Sequence, residues 1–423
     1  MLLSQLFTKT SKDAAHDAES KNAEFLARAG YVSKTMAGVY SYLPLGLRVL
    51  RSIEQVVREE MDRIGSQEVW LSALSPKENW ETTGRWDPKV FDVLFHVPGA
   101  GDQEYALNPT HEEIITPLMK QYIRSYRDLP FGAYQIQTKF RNELRAKSGI
   151  LRGREFLMKD LYSFHTDQAD LDRYYEVVMG AYDQIFVRLG LAEKTYLTFA
   201  SGGSFSQYSH EYQVVLEKGE DTIFISIEAE KQGKHIAINK EIFKPGETKC
   251  PVTGGTEFRE AKASEAANIF KLSNKFSAPF ELQYTKEDGS RSDVIMGCYG
   301  IGISRLMGIL TEACADEAGL RWPSGIAPVD MHIVPLAKTA DEESYTVAKA
   351  LYEKLMKAGK RCLFDDRIDN SVGSRMADAD MLGSALRIVV SPKTLKEKKL
   401  EVKNRWTAEM ALMEEKDFSN LLT

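Results

Sequence analysis

Hydrophobic residues recur at helical spacing in LGLRVLRSIEQVVREEMDRI (45–64), where Leu47, Leu50, Ile53, Val57, Met61 and Ile64 mark one side. Gly65 follows at the point where a left-handed residue closes a helix. A β-type segment, EVWLSAL (68–74), comes next, and Pro76 ends it because proline cannot donate to a ladder. LDRYYEVVMGAYDQIFVRLG (171–190) repeats the helical spacing and the glycine stop, here Gly190. YQIQTKF (134–140) instead alternates apolar and polar residues, the period of a half-buried strand. Continued into RNE, that strand places Gln135, Gln137, Lys139, Arg141 and Glu143 on one face. So polar a face is costly unless it looks onto water or a polar ligand. FRNELRAKSGILRGREFLMKD (140–160) therefore predicts two strands joined by a basic loop, LRAKSGIL, with one face turned toward something anionic. Taken alone, such a mixed-sign hairpin would be ordinary solvated surface.

Short β-like runs follow, among them DTIFISIE (221–228) and KHIAIN (234–239), and they are expected to elaborate the first domain. RWPSGIAP (321–328) breaks all periodicity and marks a linker. Beyond it, MHIVPLA, ESYTVAKALYEKLMKAG, KRCLFDD, a helix around SRMADADMLG and ALRIVVS alternate as βαβαβ. The expected organisation is one domain over 1–325 and a small α/β domain over 326–423.

Composition narrows the class. The 423 residues are 43% hydrophobic and 10% aromatic, enough for two or three globular cores. Four widely spaced cysteines suggest no disulfide framework and fit a reducing compartment. No apolar run is long enough to span a bilayer. The early acidic residues Asp13, Asp17 and Glu19 argue against a secretory or transit leader. A formal charge of −6 excludes a broad basic surface but allows a local basic patch. A soluble cytoplasmic protein is expected.

Three clusters carry candidate chemistry. In NPTHEE (108–113), Thr110 and Glu112 sit two apart, and a carboxylate beside a hydroxyl suits a ligand ammonium. The competing expectation is a capping box, Thr110 with Glu113, opening a helix. In the hairpin, Arg141 can hold a phosphate or carboxylate in fork geometry. Glu143 can accept from an amino group such as that of adenine, and Phe156 offers a stacking face. In MGCYGIGISRLMGIL (296–310), Gly297, Gly300 and Gly302 allow close backbone approach. Arg305 opposes the dipole of the helix it opens and so calls for an anionic partner. No G-K-S/T follows, and Arg305 stands where a dinucleotide fingerprint needs its third glycine. The three together predict a nucleotide site without a Walker lysine.

In order along the chain these clusters resemble the signature motifs of class II aminoacyl-tRNA synthetases. The first long helix with the strand and Pro76 resembles motif 1, FRNE (140–143) with RGREF (152–156) motif 2, and GIGISR (300–305) motif 3. AGVYSYLPLGLRVLRSIEQVVREEM, NPTHEE, YQIQTKFRNELR, REFLMKDLYSFHTD and GCYGIGISR are similar to bacterial-type prolyl-tRNA synthetases, from about residue 2 onward.

The resemblance implies an α+β catalytic domain, an antiparallel sheet flanked by helices, followed by a small α/β anticodon-binding domain. It implies ligation of L-proline to tRNA(Pro) through a prolyl-adenylate, with ATP as substrate and Mg²⁺ as cofactor. The catalytic arginines would be Arg141, on the α-phosphate and proline carboxylate, and Arg305, on the γ-phosphate. Glu143 would take the adenine amino group, Phe156 the adenine face, and Arg152 the phosphates. Thr110 and Glu112 would bind the proline ammonium, with His210 beside the amino acid. Met158, Tyr162 and Cys298 would wall the pyrrolidine ring, and Glu211 would help place magnesium. His165 and Cys298 could equally be packing residues. A homodimer through motif 1 is implied, and Lys and Arg residues within 362–378 would read the anticodon loop.

The chain departs from many bacterial relatives in two ways. The interval from Glu211 to Ile295 is too short for an inserted editing domain, so no cis-editing is expected. KCPVTGG (249–255) has Thr253 where a second cysteine would complete C-x-x-C, so no zinc is expected. A non-catalytic nucleic-acid-binding relative is the competing expectation, and it would have lost Arg141, Glu143 and Arg305.

Overall fold

The computed structural model describes residues 1–13, 20–144, 146, 148–201, 208–414 and 416–417. The chain forms two units, residues 36–39 with 53–309, and residues 1–35 with 40–52 and 310–423.

Helix α1 (Pro44–Arg63) carries buried Leu50, Ile53, Val57 and Met61 at the expected spacing, and Gly65 follows at φ 77°. The segment after it is not the continuous strand that its composition suggests. Only β1 (Gln67–Glu68) pairs within the large sheet, and a separate short strand begins at Leu74. Val69 N–H still donates to the Tyr134 carbonyl at 2.7 Å, but at Leu71 side chains take the place of the ladder: Leu71 N–H donates to Gln135 Oε1 at 3.1 Å, and Gln137 donates to the Leu71 carbonyl. Trp70 is left 79% exposed.

Helix α2 (Glu112–Met119) precedes two long antiparallel strands, β2 (Phe131–Phe140) and β3 (Glu155–His165). Helix α3 (Gln168–Arg188) follows and packs Tyr175, Val178, Tyr182 and Ile185 inward. Then come β4 (Thr195–Ser201), β5 (Tyr208–Val215), β6 (Asp221–Ser226), β7 (Ile236–Asn239), β8 (Phe258–Ser273) and β9 (Ile295–Gly302), and helix α4 (Ile303–Cys314). The sheet order is β5-β4-β7-β6-β8-β9-β3-β2-β1, and β5 also pairs with β8. Residues 195–302 therefore supply six of the nine strands of the central sheet rather than an elaboration of it.

The second unit holds β10 (Met331–Pro335), α5 (Glu343–Lys357), β11 (Cys362–Phe364), α6 (Val372–Leu382), β12 (Leu386–Val390), β13 (Leu400–Asn404) and β14 (Met410–Met413). The predicted βαβαβ is present, with β11-β10-β12 parallel and β13 and β14 antiparallel beyond it. Leu2 bridges to Phe364, and Thr10 donates to Asp378 at 2.6 Å, so the N-terminal segment belongs to this unit. Among the described residues no helix is long and apolar enough to cross a membrane.

Candidate active site

Register sorts the sheet residues into two faces. Asp160 lies opposite Gly300, Tyr162 opposite Cys298, and Met158 opposite Gly302. Alternation then puts Phe156, Met158, Asp160 and Tyr162 on the face that also carries Cys298. The opposite face meets α3, where Lys159 Nζ donates to Tyr182 at 2.6 Å.

At one end of the first face is a cleft whose lining includes Arg141, Glu143, Phe156, Met158, Glu265 and Arg305. Strand β2 stops at Phe140, so Arg141 and Glu143 leave the ladder and lie in the cleft. Arg141 sits with its guanidinium carbon 5.1 Å from the Phe156 ring centre. Burial, and next the nearby Arg305 cation, pull Arg141 below the ordinary arginine range. Two cations set this close suit an anionic ligand such as a phosphate. Arg305 is held by Nε on the Leu151 carbonyl at 2.7 Å and by Nη1 on the Glu265 carbonyl at 2.9 Å. Arg152 donates twice to Glu143 Oε2, at 3.0 and 2.7 Å. Gly300 forms part of the cleft for lack of room: a Cβ there would come within 2.9 Å of Asn268 Oδ1. Arg145 and Lys147, from the predicted basic loop, lie outside the described residues.

Beside this cleft, Thr110 Oγ1 donates to Glu112 Oε2 at 2.5 Å and the Cys298 thiol donates to Oε1 at 3.2 Å. Glu112 is fully buried, with Arg85 Nη1 3.5 Å away. Thr110 is not a helix cap: His111 occupies the cap position without a side-chain bond, and Glu113 turns to Arg85 at 2.9 Å. A buried carboxylate gains more from a cation than from a cap. Even so, burial leads the causes that raise Glu113 to about 7. Burial, then Glu112, push the Cys298 thiol well above its usual range, so it is a donor here.

The polar face of β2 up to Lys139 turns to protein partners rather than to the cleft, contrary to the expectation from its period. Gln135 and Gln137 bond Leu71, and Lys139 lies 2.6 Å from Asp160 Oδ1. Only Arg141 and Glu143 meet the cleft.

Glu211 belongs to a further acidic group. It accepts from Gln213 at 2.9 Å and Asn239 at 3.1 Å, and burial, then Glu265, raise its carboxyl to about 8. Two mutually repelling carboxylates in a poorly solvated place fit a divalent cation. Among the described residues no group of three His, Cys, Asp or Glu side chains that could hold a metal ion occurs.

His210 is not brought into this arrangement. It pairs with Ile269, which pairs with Tyr299, on the α3 face. Its Nδ1 meets Tyr175 at 2.8 Å, and burial lowers it to about 4. His165 is likewise structural, bonded to Asp170 at 2.7 Å and Ser163 at 2.9 Å. Cys250 packs beside Ala229 and Ile236. In the 362–378 segment both cations serve the fold: Arg367 pairs with Asp365 at 2.8 Å, and Arg375 donates to the Pro335 and Ala337 carbonyls.

Arg85, Glu265 and Asn268 were missed in the sequence. Glu265 left a trace, as a carboxylate inside the otherwise alternating run of β8, whereas Arg85 sits in a loop without period.

Comparison with known proteins identifies the family of the chain. Residues 95–314 match the tRNA synthetase class II core domain (G, H, P, S and T), and residues 329–423 match an anticodon binding domain. A proline--tRNA ligase of Anaplasma marginale is 38% identical over 419 residues, 96% of each chain. One from Anaplasma phagocytophilum is 36% identical over 423 residues, covering 98% of this chain and 97% of that one. The fold matches Giardia lamblia prolyl-tRNA synthetase, solved in complex with prolyl-adenylate, at a TM-score of 0.76 and 21% identity. That match covers 93% of this chain and 74% of the other.

Proposed function

The chain belongs to the proline--tRNA ligase family of class II synthetases, and we propose that it joins L-proline to tRNA(Pro) through a prolyl-adenylate made at this site. The observation that carries the proposal is one of adjacency. The ammonium acceptor, Thr110 with Glu112, and the cationic cleft of Arg141 and Arg305 share one sheet face. Cys298 and Gly300 are two residues apart on β9, about 7 Å, so amino acid and nucleotide lie end to end.

The chemistry follows from placement. A proline carboxylate is already a nucleophile, so no general base is required. The site must align it with the α-phosphate and offset the charge that builds up there. Glu112 and Thr110 hold the secondary ammonium, while Met158, Tyr162 and Cys298 wall the ring. Arg141 draws the carboxylate and α-phosphate together, and Arg305 and Arg152 hold the outer phosphates. For Arg152 this means exchanging one of its two bonds to Glu143, which frees Glu143 for the adenine amino group over Phe156. A magnesium ion at Glu211 and Glu265 would supply charge neutralisation for the phosphates. His210 supports the sheet from behind in this scheme.

Residues 326–423 are proposed as the anticodon-binding domain and 1–325 as the catalytic domain, although the first 35 residues pack in the unit that holds 326–423. Homodimerisation is proposed through the motif 1 region, where Trp70 and Leu74 are exposed. The compartment proposed is the cytoplasm.

Charging of unfractionated tRNA with labelled proline tests the reading. Transfer of proline to one isoacceptor group is expected; transfer of a different amino acid, or of none, would overturn it.

A further inference from the structure

Immediately behind the ammonium-binding pair lies a polar group that the activation chemistry does not use. His111, between Thr110 and Glu112, has no exposed surface, and neither do Lys139 and Tyr162; Asp160 is 3% exposed. Lys139 Nζ stands 2.8 Å from His111 Nδ1 and 2.6 Å from Asp160 Oδ1. His111 Nε2 faces the Ser72 carbonyl at 3.0 Å. The His111 main-chain N–H donates to Tyr162 Oη at 2.9 Å, and that hydroxyl donates to Asp160 Oδ2 at 2.9 Å. Gln135 completes Asp160 at 3.0 Å.

Donor logic leaves a single protonation state. An ammonium only donates, so Nδ1 accepts; a carbonyl only accepts, so Nε2 carries the proton. The imidazole is neutral and clamped at both nitrogens, and its own peptide nitrogen is tied to the same carboxylate through Tyr162. Both neighbours of His111 contact the proposed ammonium.

We infer that Lys139 and Asp160 are positioning residues which, by clamping His111 at its ring and its backbone, set the Thr110–Glu112 turn that receives the amine of the amino acid. This rests on the proposed function. The distinction from a merely structural ion pair lies in where the contacts converge. A pair needed only for the core could be replaced by apolar groups without loss, whereas this one meets at the single residue separating two ligand contacts.

The charged and titratable groups facing His111 are Lys139 from β2 and Asp160 and Tyr162 from β3, with Gln137 also near. Burial, then the Lys139 cation, bring His111 down to about 4. Removing the cation reverses that second cause, so His111 takes a proton more readily. The imidazolium then stands 3.8 Å from Asp160 and can replace the lost ammonium.

The test is proline-dependent ATP–pyrophosphate exchange by the full chain with Lys139→Met, from about pH 8 to about pH 6. The expected result is a proline KM raised about tenfold or more over wild type near pH 8, a ratio that shrinks toward pH 6, and an unmoved ATP KM. A ratio constant with pH, or an equal rise in the ATP KM, would overturn the inference. Lys139→Gln, uncharged but able to bond Nδ1, gives the same comparison should the methionine variant not fold. Nitrogen NMR of the wild type reads the tautomer independently of any variant. A protonated Nε2 with no titration above about pH 5.5 is expected, and an Nδ1–H tautomer would also overturn the inference. Wild-type protein without proline-dependent exchange would instead remove the functional reading beneath it.

Discussion

The hydroxyl of Thr110 donates to Glu112 Oε2 at 2.5 Å, so the buried carboxylate is aimed before any ligand arrives. With the Cys298 thiol on its other oxygen, the group keeps its acceptor directions fixed. Preorganisation of this kind lowers the cost of binding a small charged ligand. Glu112→Gln keeps the shape and removes the charge. A proline KM raised about ten- to a hundredfold is expected, since hydrogen bonds to charged groups are worth about 1.5–3 kcal/mol. The ATP KM in the same exchange assay should not move.

Arg141→Ala should separate chemistry from stability. Arg141 is crowded by Arg305, so its loss relieves repulsion in the empty site and the melting temperature should hold. Adenylate formation should fall at least about a hundred- to a thousandfold, the scale seen when one charge-stabilising donor is removed. Single-turnover adenylate formation, read alongside thermal denaturation, checks both halves.

In the proposed scheme, Glu211 makes magnesium use depend on pH. Its carboxyl, raised to about 8, is largely protonated below that value, and a cation must displace the proton to bind. The magnesium concentration for half-maximal exchange should therefore fall by up to about tenfold per pH unit from about 6.5 to 8. Glu211→Gln should flatten that slope. For stability the sign is opposite. A raised carboxyl favours the folded state below the ordinary carboxylate range, and that advantage is lost as pH climbs toward 8.

Trp70 at 79% exposure is the feature to alter for assembly. Trp70→Glu should weaken the proposed self-association by about 2 kcal/mol or more, the scale of an aromatic anchor at an interface. Sedimentation over a range of concentrations reads this, and an unchanged association curve would place the interface elsewhere.

The elements that could be read directly were those whose period is set by burial. Helix α1 and helix α3 each bury one face, and Gly65 and Gly190 close them at positive φ. The ligand-facing motifs could be read because their residue types are costly elsewhere: Arg141, Arg305 and Glu112 all meet in or beside one cleft. Where long-range pairing decides, periodicity said little. EVWLSAL has strand composition, yet Gln135 and Gln137 take the backbone groups of Leu71, so the ladder is interrupted. The same two glutamines made the β2 face look ligand-facing when its partners were protein. His210 went astray for a related reason. Alternation assigns a face only once register is known, and pairing with Ile269 turns His210 toward α3. Arg367, in a loop, and Arg375, in helix α6, show that a cation carries no label saying whether it serves the fold or a nucleic acid.

Amino-acid-dependent ATP–pyrophosphate exchange, run with all twenty amino acids in parallel and without tRNA, bears most directly on the central claim. Strong exchange with proline and a weaker signal from alanine, which is smaller and loses only part of the ring contacts, is the predicted result. No exchange with any amino acid would contradict the account, leaving Arg141, Glu143 and Arg305 assembled without chemistry and a nucleic-acid-binding subunit in its place.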